Sequence, residues 1–426
     1  MDYEEARDVL DRLPTLEVKP GLERVDRLLD VLGRPERAYP AIHVGGTNGK
    51  GSVVAMLDAV LRSAGYRVGR FTSPAVVDFR ERITIDDSWL SEADWAAGVE
   101  RIAPALADAS DPPAQFEAVT AIAFDAFRRH AVDVAIVEVG LGGRFDATNR
   151  VEPILAILTN VSYDHTAILG ETLERIAWEK VGIAKRGVPF LTGPLPEGVE
   201  MIVEKECADV GAVLEKSEGL DVSLASEGAK TVEYRVAAAG FPDRIDLSLL
   251  GGYQEENLRI SLRAIELLRE GGFDVPASAV REGLRTVSWP GRFEIVRRSP
   301  TVILEGAHNV AGARALADDI ERYAPDRARR HLVFGSLADK DVAGMLGVLV
   351  LAFSDVALTQ STSPRALPVE ELARLMGEVP IPFACYDSVE GALAVCLPSS
   401  GAEDVWVVAG SLTVVAEARR YLEGER

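Results

Sequence analysis

At 426 residues the chain exceeds one ordinary domain, so two domains are expected. With 47% apolar and 27% charged residues it has the composition of a soluble globular protein able to bury sizeable cores. Its formal net charge of -21 argues against a general binder of nucleic acid or membrane surfaces, yet a local cluster of Lys and Arg can still accept one anionic substrate.

The opening residues Met1-Asp2-Tyr3-Glu4-Glu5 are acidic and lack the basic and apolar regions of a signal peptide. Cys207, Cys385 and Cys396 lie far apart, without metal-ligand spacing, and suit reduced thiols. The longest apolar run, around Leu346 to Phe353, is short for a membrane span and fits a core element. A cytoplasmic protein is expected. Two helical patterns come first, Tyr3–Leu13 and Gly21–Leu32, and their apolar positions read as packing.

Pro40-Ala41-Ile42-His43-Val44 then reads as a strand, followed by Gly45-Gly46-Thr47-Asn48-Gly49-Lys50-Gly51-Ser52. Val53, Met56, Leu57, Val60 and Leu61 recur behind it at helical spacing. Strand, glycine-rich turn, lysine and helix start describe a phosphate cradle. Glycines let the backbone approach an anion, and the N–H groups and dipole of a helix start favour its charge. Lys50 would reach the outer phosphates, and the hydroxyl of Ser52 or Thr47 would meet magnesium. Gly51 separates the lysine from the hydroxyl residue, unlike the general P-loop pattern. The bland alternative is a turn that merely starts a helix, but the flanking strand and helix favour a nucleotide site.

Gly65 suits the end of that helix and Arg67–Phe71 a second strand. Ile83–Ile85 reads as a short strand, Ser91–Leu106 and Gln115–His130 as helices. Val132–Val139 and Ile154–Thr159 are continuous apolar runs, the mark of buried parallel strands. A helix over Leu173–Lys185 and a strand Val188–Leu191 continue the alternation, which predicts a doubly wound, mainly parallel sheet with ligands at the carboxyl ends of its strands. From Thr231 the pattern alternates, as in half-exposed antiparallel strands, and helices follow near Tyr253–Arg269 and Ser278–Thr286. Trp289-Pro290-Gly291-Arg292 is a candidate hinge. A second, smaller α/β run follows, Rossmann-like but without a P-loop of its own. The expected domains are 1–297, with a small antiparallel addition, and 298–426.

Among single residues, Glu138 ends a buried strand, where a carboxylate is costly unless paired or metal-bound. His165 alone reads more readily as a structural hydrogen-bonder than as a ligand. Taken with Glu138 and Ser73 on neighbouring strand ends, it points to a hard-cation site, magnesium rather than zinc. Arg144 and Asp146 would bind substrate or lock their loop as a salt bridge. Lys180 reads as an exposed helix lysine, the default for any lysine, and Phe116 and Glu117 as core and cap of a helix.

His43–Ser52, Thr72-Ser73-Pro74 and Phe79-Arg80-Glu81-Arg82-Ile83 resemble the opening of the folylpolyglutamate synthase/dihydrofolate synthase family. So do Glu138–Asn149, Asp164-His165-Thr166, Glu179–Ile183, Trp289–Phe293 and Gly306-Ala307-His308-Asn309. The matches run in order from about residue 40 to Ser411, and the P-loop with Gly51 is the family's own form. The resemblance implies a Mur-type ligase: ATP phosphorylates a carboxylate of a folate or dihydropteroate, and the amine of L-glutamate attacks the acyl phosphate.

Residue by residue, it implies ATP contacts at Gly46, Thr47, Asn48, Gly49, Lys50, Gly51 and Ser52, with Asn257 and Arg292 on the nucleotide. It implies metal positions at Ser52, Ser73, Glu138 and His165, two magnesium ions, and carbamylation of Lys180 so that its added carboxylate reaches a metal. Phe116 and Asp146 match the pterin-side pocket, with Arg82 in the loop beside it. Glu305, His308 and Ser411 match positions of the second domain that close on the reacting groups. Glu305 stands where the family usually has aspartate, and Ala75 where a bulkier residue is common. A monomer acting on small molecules is expected. Another Mur-type amino-acid ligase, acting on a non-folate acid, is the alternative within the same chemistry.

Overall fold

The computed structural model describes residues 1–15, 21–106, 111–228, 230–377, 379 and 381–424, and the chain divides into two compact units. The first comprises Met1–Ser162, Thr166–Ser248 and Glu255–Val287; the second comprises Tyr163–His165, Leu249–Gln254 and Ser288–Arg426. The division at Val287/Ser288 lies ahead of the boundary expected at 297/298. The reason is local: Glu294–Arg298 is a strand, and it pairs antiparallel with Thr301–Leu304.

The first unit holds eight strands in one sheet: β1 (Ala41–Gly45), β2 (Val68–Phe71), β3 (Ile83–Ile85), β4 (Ser88–Trp89), β5 (Val134–Glu138), β6 (Pro153–Leu158), β7 (Pro189–Thr192) and β8 (Val213–Lys216). Their order is β4-β3-β2-β5-β1-β6-β7-β8. From β2 to β8 every neighbouring pair is parallel, and β3 and β4 are added antiparallel at the edge. All five residues of β1 and of β5 are buried, as expected of parallel strands covered on both faces. One apolar cluster gathers Leu28, Phe71, Trp95, Phe124 and Phe127; another gathers Ile176, Ile183, Phe190 and Val203. A separate antiparallel sheet, β11-β10-β9, is built from β9 (Val222–Glu227), β10 (Val232–Val236) and β11 (Arg244–Leu247).

The second unit has a six-stranded sheet, β12-β13-β17-β14-β15-β16. Its strands are β12 (Glu294–Arg298), β13 (Thr301–Leu304), β14 (Arg330–Phe334), β15 (Asp355–Thr359), β16 (Phe383–Tyr386) and β17 (Val405–Ala409). All neighbouring pairs but β12–β13 are parallel. The apolar run around Leu346 is the core helix Val342–Ala352. Among the described residues no helix is long and apolar enough to cross a membrane.

Two local departures have physical causes. The helix expected over Leu173–Lys185 stops at Val181, because Gly182 caps it and the Arg144 N–H takes the Glu179 carbonyl at 2.8 Å. His43, inside β1, is a buried neutral ring: burial, with Lys185 adding repulsion, pushes its pKa down to about 3, and its Nε2 meets Thr148 Oγ1 at 2.9 Å.

The helix Lys50–Ser63 is nearly all buried, and the helix Ala277–Thr286 packs on it through Gly283. A Cβ on Gly283 would stand 2.6 Å from Val60 Cα, so the two backbones meet with no room for a side chain. Gly283→Leu should therefore destabilise the protein by about 1–3 kcal/mol, the usual cost of overpacking. A urea midpoint equal to wild type would refute this contact.

Candidate active site

The glycine-rich loop leaves β1 and is held by the chain that leaves its neighbour β6. Thr47 N–H donates to the Asn160 carbonyl at 3.0 Å, and Asn48 N–H to Asn160 Oδ1 at 3.0 Å. In return Thr159 Oγ1 and Asn160 Nδ2 donate to the Asn48 carbonyl at 2.6 and 3.0 Å. The Thr47 hydroxyl donates to the Ser162 carbonyl and accepts from the Ser162 N–H, at 3.2 and 3.0 Å. Those bonds engage within the loop one of the two hydroxyls, Ser52 or Thr47, that the sequence offers to magnesium. Gly46 has φ 139°, and a Cβ there would run into Thr159 Oγ1. Gly49 caps the helix at φ 84°, and a Cβ there would run into Asn257 Oδ1. Both positions therefore require glycine.

The helix beyond Gly49 has no acidic residue in its first turn, and its start offers amide hydrogens without intrahelical partners. Lys50 Nζ donates to the carbonyls of Gly46 and Thr47 at 3.1 and 3.0 Å. Lys180 Nζ donates to the same Gly46 carbonyl at 3.0 Å. Lys180 is 5% exposed, so the default reading as a solvated helix lysine is wrong. Ser52 is fully buried, and Glu138, also buried, accepts from the Ser73 N–H at 3.3 Å. The structure thus joins Lys50 to Lys180 and Ser73 to Glu138.

Among the described residues no group of three or more His, Cys, Asp or Glu is arranged to hold a metal. The donors of the first unit, Ser52, Ser73 and Glu138, are hard oxygens. That chemistry fits magnesium completed by phosphate oxygens and does not fit zinc.

His165 belongs to the second unit and is engaged there. Lys340 Nζ donates to Asp164 Oδ1 at 2.6 Å and to His165 Nε2 at 3.0 Å. Asn309 Nδ2 donates to Asp164 Oδ2 at 3.2 Å, and His308 Nε2 lies 3.4 Å from it. Burial works against the Asp164 carboxylate, but His308 and Lys340 overcome it and hold its pKa far below the usual range. Burial brings the His165 pKa down to about 4, with Lys340 adding to it against Asp164, so the ring is neutral and can accept from Lys340. His308 Nδ1 donates to the Gly306 carbonyl at 2.7 Å. Lys340 escaped the sequence reading, and Asp164 and Asn309 stood in the quoted motifs without a role. The charged turn Asp339-Lys340-Asp341 between a strand and a helix was the available signal.

Glu305 is buried, and one of its oxygens accepts from both Tyr253 OH and Phe293 N–H, at 2.8 and 2.7 Å. Burial raises its pKa against the pull of Arg292. Arg292 Nη1 donates to the Gly291 carbonyl at 3.0 Å, and Ser411, also buried, shares a 2.9 Å hydroxyl bond with Thr413.

The three substrate candidates lie in the first unit. Asp146, buried, accepts from Leu141 N–H at 2.8 Å and Thr148 N–H at 3.0 Å, which shapes the loop after β5. Arg144 does not pair with it; its guanidinium stacks on Trp178 and bonds Glu206 at 2.6 Å. The Phe116 ring lies against Phe71 at 5.8 Å and fills the space a side chain on Gly140 would need. Arg82 lies over the Phe79 ring, with Arg7 over the same ring. Burial and Arg7 lower its pKa to about 10, and its Nε and Nη1 have no hydrogen-bond partner among the described residues. A half-buried guanidinium with two buried, spare donors suits an anionic group.

Residues 44–189 match the Mur ligase middle domain, and residues 291–412 the Mur ligase, glutamate ligase domain. The chain is 35% identical to the dihydrofolate synthase/folylpolyglutamate synthase of Bacillus subtilis, over 99% of both chains. It is 37% identical to a probable bifunctional folylpolyglutamate synthase/dihydropteroate synthase of Haloferax volcanii over 98% of its own length, and spans 50% of that longer protein. Among solved structures, E. coli FolC in complex with DHPP and ADP superposes with a TM-score of 0.89 at 32% identity, covering 100% of this chain and 99% of that one. Mycobacterium tuberculosis folylpolyglutamate synthase complexed with ADP and AMPPCP gives 0.90 at 34%, covering 99% and 98%.

The loop clamp is open to a double-mutant cycle. Gly46→Ala should cost about 2 kcal/mol or more, from its positive φ and the collision with Thr159. Thr159→Ala should cost about 1 kcal/mol for the lost bond to Asn48. In urea unfolding the double variant should lose less than the two single losses added, because the closest clash, with the Thr159 hydroxyl, is gone; strict additivity would disprove the contact.

Proposed function

The chain belongs to the folylpolyglutamate synthase/dihydrofolate synthase family of Mur ligases, and on that premise we propose that it joins L-glutamate to a folate-type carboxylate at the expense of ATP. The observation that carries this reading is the loop on β1, where Lys50 and the buried Lys180 converge on the Gly46 carbonyl. ATP would lie with its phosphates at the start of the helix Lys50–Ser63, near Asn257, with Arg292 as a second nucleotide contact. Lys50 would exchange its carbonyl partners for phosphate oxygens. The acceptor carboxylate attacks the γ-phosphorus in line and forms an acyl phosphate with loss of ADP. The amine of glutamate then attacks the acyl carbon. Phosphate leaves as the tetrahedral intermediate collapses, and the amide remains.

Magnesium, when bound, neutralises charge spreading over the transferred phosphoryl group. Ser52, Ser73, Glu138 and His165 are its proposed ligands for two ions, joined by Lys180 once its amine has taken up carbon dioxide and lost a proton. Phe116 and Asp146 would border the pterin, and the spare donors of Arg82 would meet an anionic part of the acceptor. His308, Glu305 and Ser411 are read as positions that act on the reacting groups. The net charge of -21 fits an enzyme of small molecules rather than nucleic acid. A cytoplasmic monomer is part of the same reading.

The direct test offers dihydropteroate, dihydrofolate and tetrahydrofolate separately with ATP, magnesium and L-glutamate, and weighs the products by mass spectrometry. At least one acceptor should gain a glutamate. Gain on dihydropteroate as well as tetrahydrofolate would make the enzyme bifunctional, and gain on none would overturn the assignment in favour of a Mur-type ligase for another acid. Lys180→Ala should abolish turnover while Lys180→Glu keeps part of it, since a carboxylate stands in for the carbamate. Equal loss in both would contradict the carbamate.

A further inference from the structure

A cavity of about 390 Å³ lies at the far end of the first unit's sheet from the glycine-rich loop. Its walls come from chain that enters strands rather than leaving them. Glu36 and Arg37 precede β1, residues 149–152 precede β6, and Lys185 precedes β7, with Asp26 and Arg34 completing the lining. These strands run parallel, so the cavity is separated from the phosphate cradle by the length of β1.

The charges on its walls do not balance. Asp26 is held by Arg34 at 2.7 Å and also by Arg150; Glu152 meets Arg37 at 3.4 Å; Glu36 lies 3.8 Å from both Arg34 and Arg37. Each carboxylate of the lining is therefore claimed by arginine. Lys185 is the cation left over. Its ammonium donates to the Asn149 carbonyl and Oδ1 at 3.1 and 2.8 Å, and no carboxylate among the described residues lies within ion-pair distance of it. Burial first, and then the field of Arg150, lower its pKa to about 8. Arg150 itself keeps a buried Nε without a hydrogen-bond partner. Arg150 is paired with Asp26 through Nη2 only, and Glu152 pulls on Lys185 without reaching ion-pair distance, so the Lys185 ammonium and the Arg150 Nε both have room for an anion.

We propose that this cavity is a second, non-catalytic site for a small oxyanion, a carboxylate or a phosphate, held by Lys185 and Arg150 with Arg37 beside them. The cavity is large enough for inorganic phosphate or for an amino acid such as L-glutamate. The site lies beyond the ligase reaction and needs none of its steps. It would give the enzyme a place to sense a product or a co-substrate.

The reactivity of Lys185 reports on the site in the intact protein. At about pH 8, trace acetic anhydride should label Lys185 readily, because its free-base fraction is large. Phosphate or L-glutamate at millimolar concentration should slow that labelling by about fivefold for the first unit the pKa rises, read by peptide mass spectrometry. The exposed Lys205 and Lys230 serve as controls and should not respond. Protection by only one of the two anions would identify its class. Protection should persist in Lys50→Ala, which disables the catalytic phosphate site, and vanish in Arg150→Gln. No protection by either anion, equal protection by sodium chloride of matched ionic strength, or protection lost in Lys50→Ala would overturn the proposal. Failure of ligase activity with every folate acceptor would leave this test unaffected, so the two readings stand or fall separately.

Discussion

One backbone carbonyl, that of Gly46, receives two ammonium groups, and the catalytic architecture of the first unit follows from it. Lys50 arrives from the helix that the loop begins, Lys180 from the helix Leu173–Val181. Both nitrogens lie near 3 Å from one oxygen, so they cannot be more than about 6 Å apart. In the proposed reaction the ATP triphosphate would bring negative charge to this pair. The proposed carbamate on Lys180 would exchange one of the two positive charges for a negative one. The loop can hold this arrangement because Thr159, Asn160 and Ser162 take up its own polar groups. The amides at the helix start are thereby held in a rigid frame, as the proposed phosphate cradle requires.

The order of the sheet explains why these residues meet. β1 lies between β5 and β6, so the loops leaving all three strands open at one end. They carry the glycine-rich loop, Glu138 with the loop shaped by Asp146, and the Thr159–Ser162 clamp. The second unit has its own charged centre, in which Asp164 is the common partner of Lys340, Asn309 and His308. Breaking one arm of such a buried network costs more than an exposed pair would, because the remaining charges stay desolvated.

Much of this was legible in the sequence for identifiable reasons. The strand–glycine–helix pattern at Gly45–Ser52 is a local code, and the continuous apolar runs of β5 and β6 announce strands buried on both faces. Other strands were not legible. β8, β9 and β16 are largely exposed and carry mixed side chains, so no periodicity marks them. The site was less readable than the fold. Lys180 looks solvated in one dimension and becomes buried only because its helix lies against the loop on β1. The commitment of the Thr47 hydroxyl to Ser162, and of Arg144 to Glu206 rather than Asp146, depends on neighbours far away in the chain. Lys340 is separated from Asp164 by 176 positions, and no local signal links the two.

The central claim is that the acceptor carboxylate itself attacks ATP and is carried through an acyl phosphate. An acceptor folate with oxygen-18 in its carboxylate tests this most directly. Turnover with ATP and L-glutamate should release inorganic phosphate bearing one labelled oxygen per amide formed. Unlabelled phosphate from a reaction that still makes the amide would contradict the account, because the carboxylate oxygen would then have left by another route.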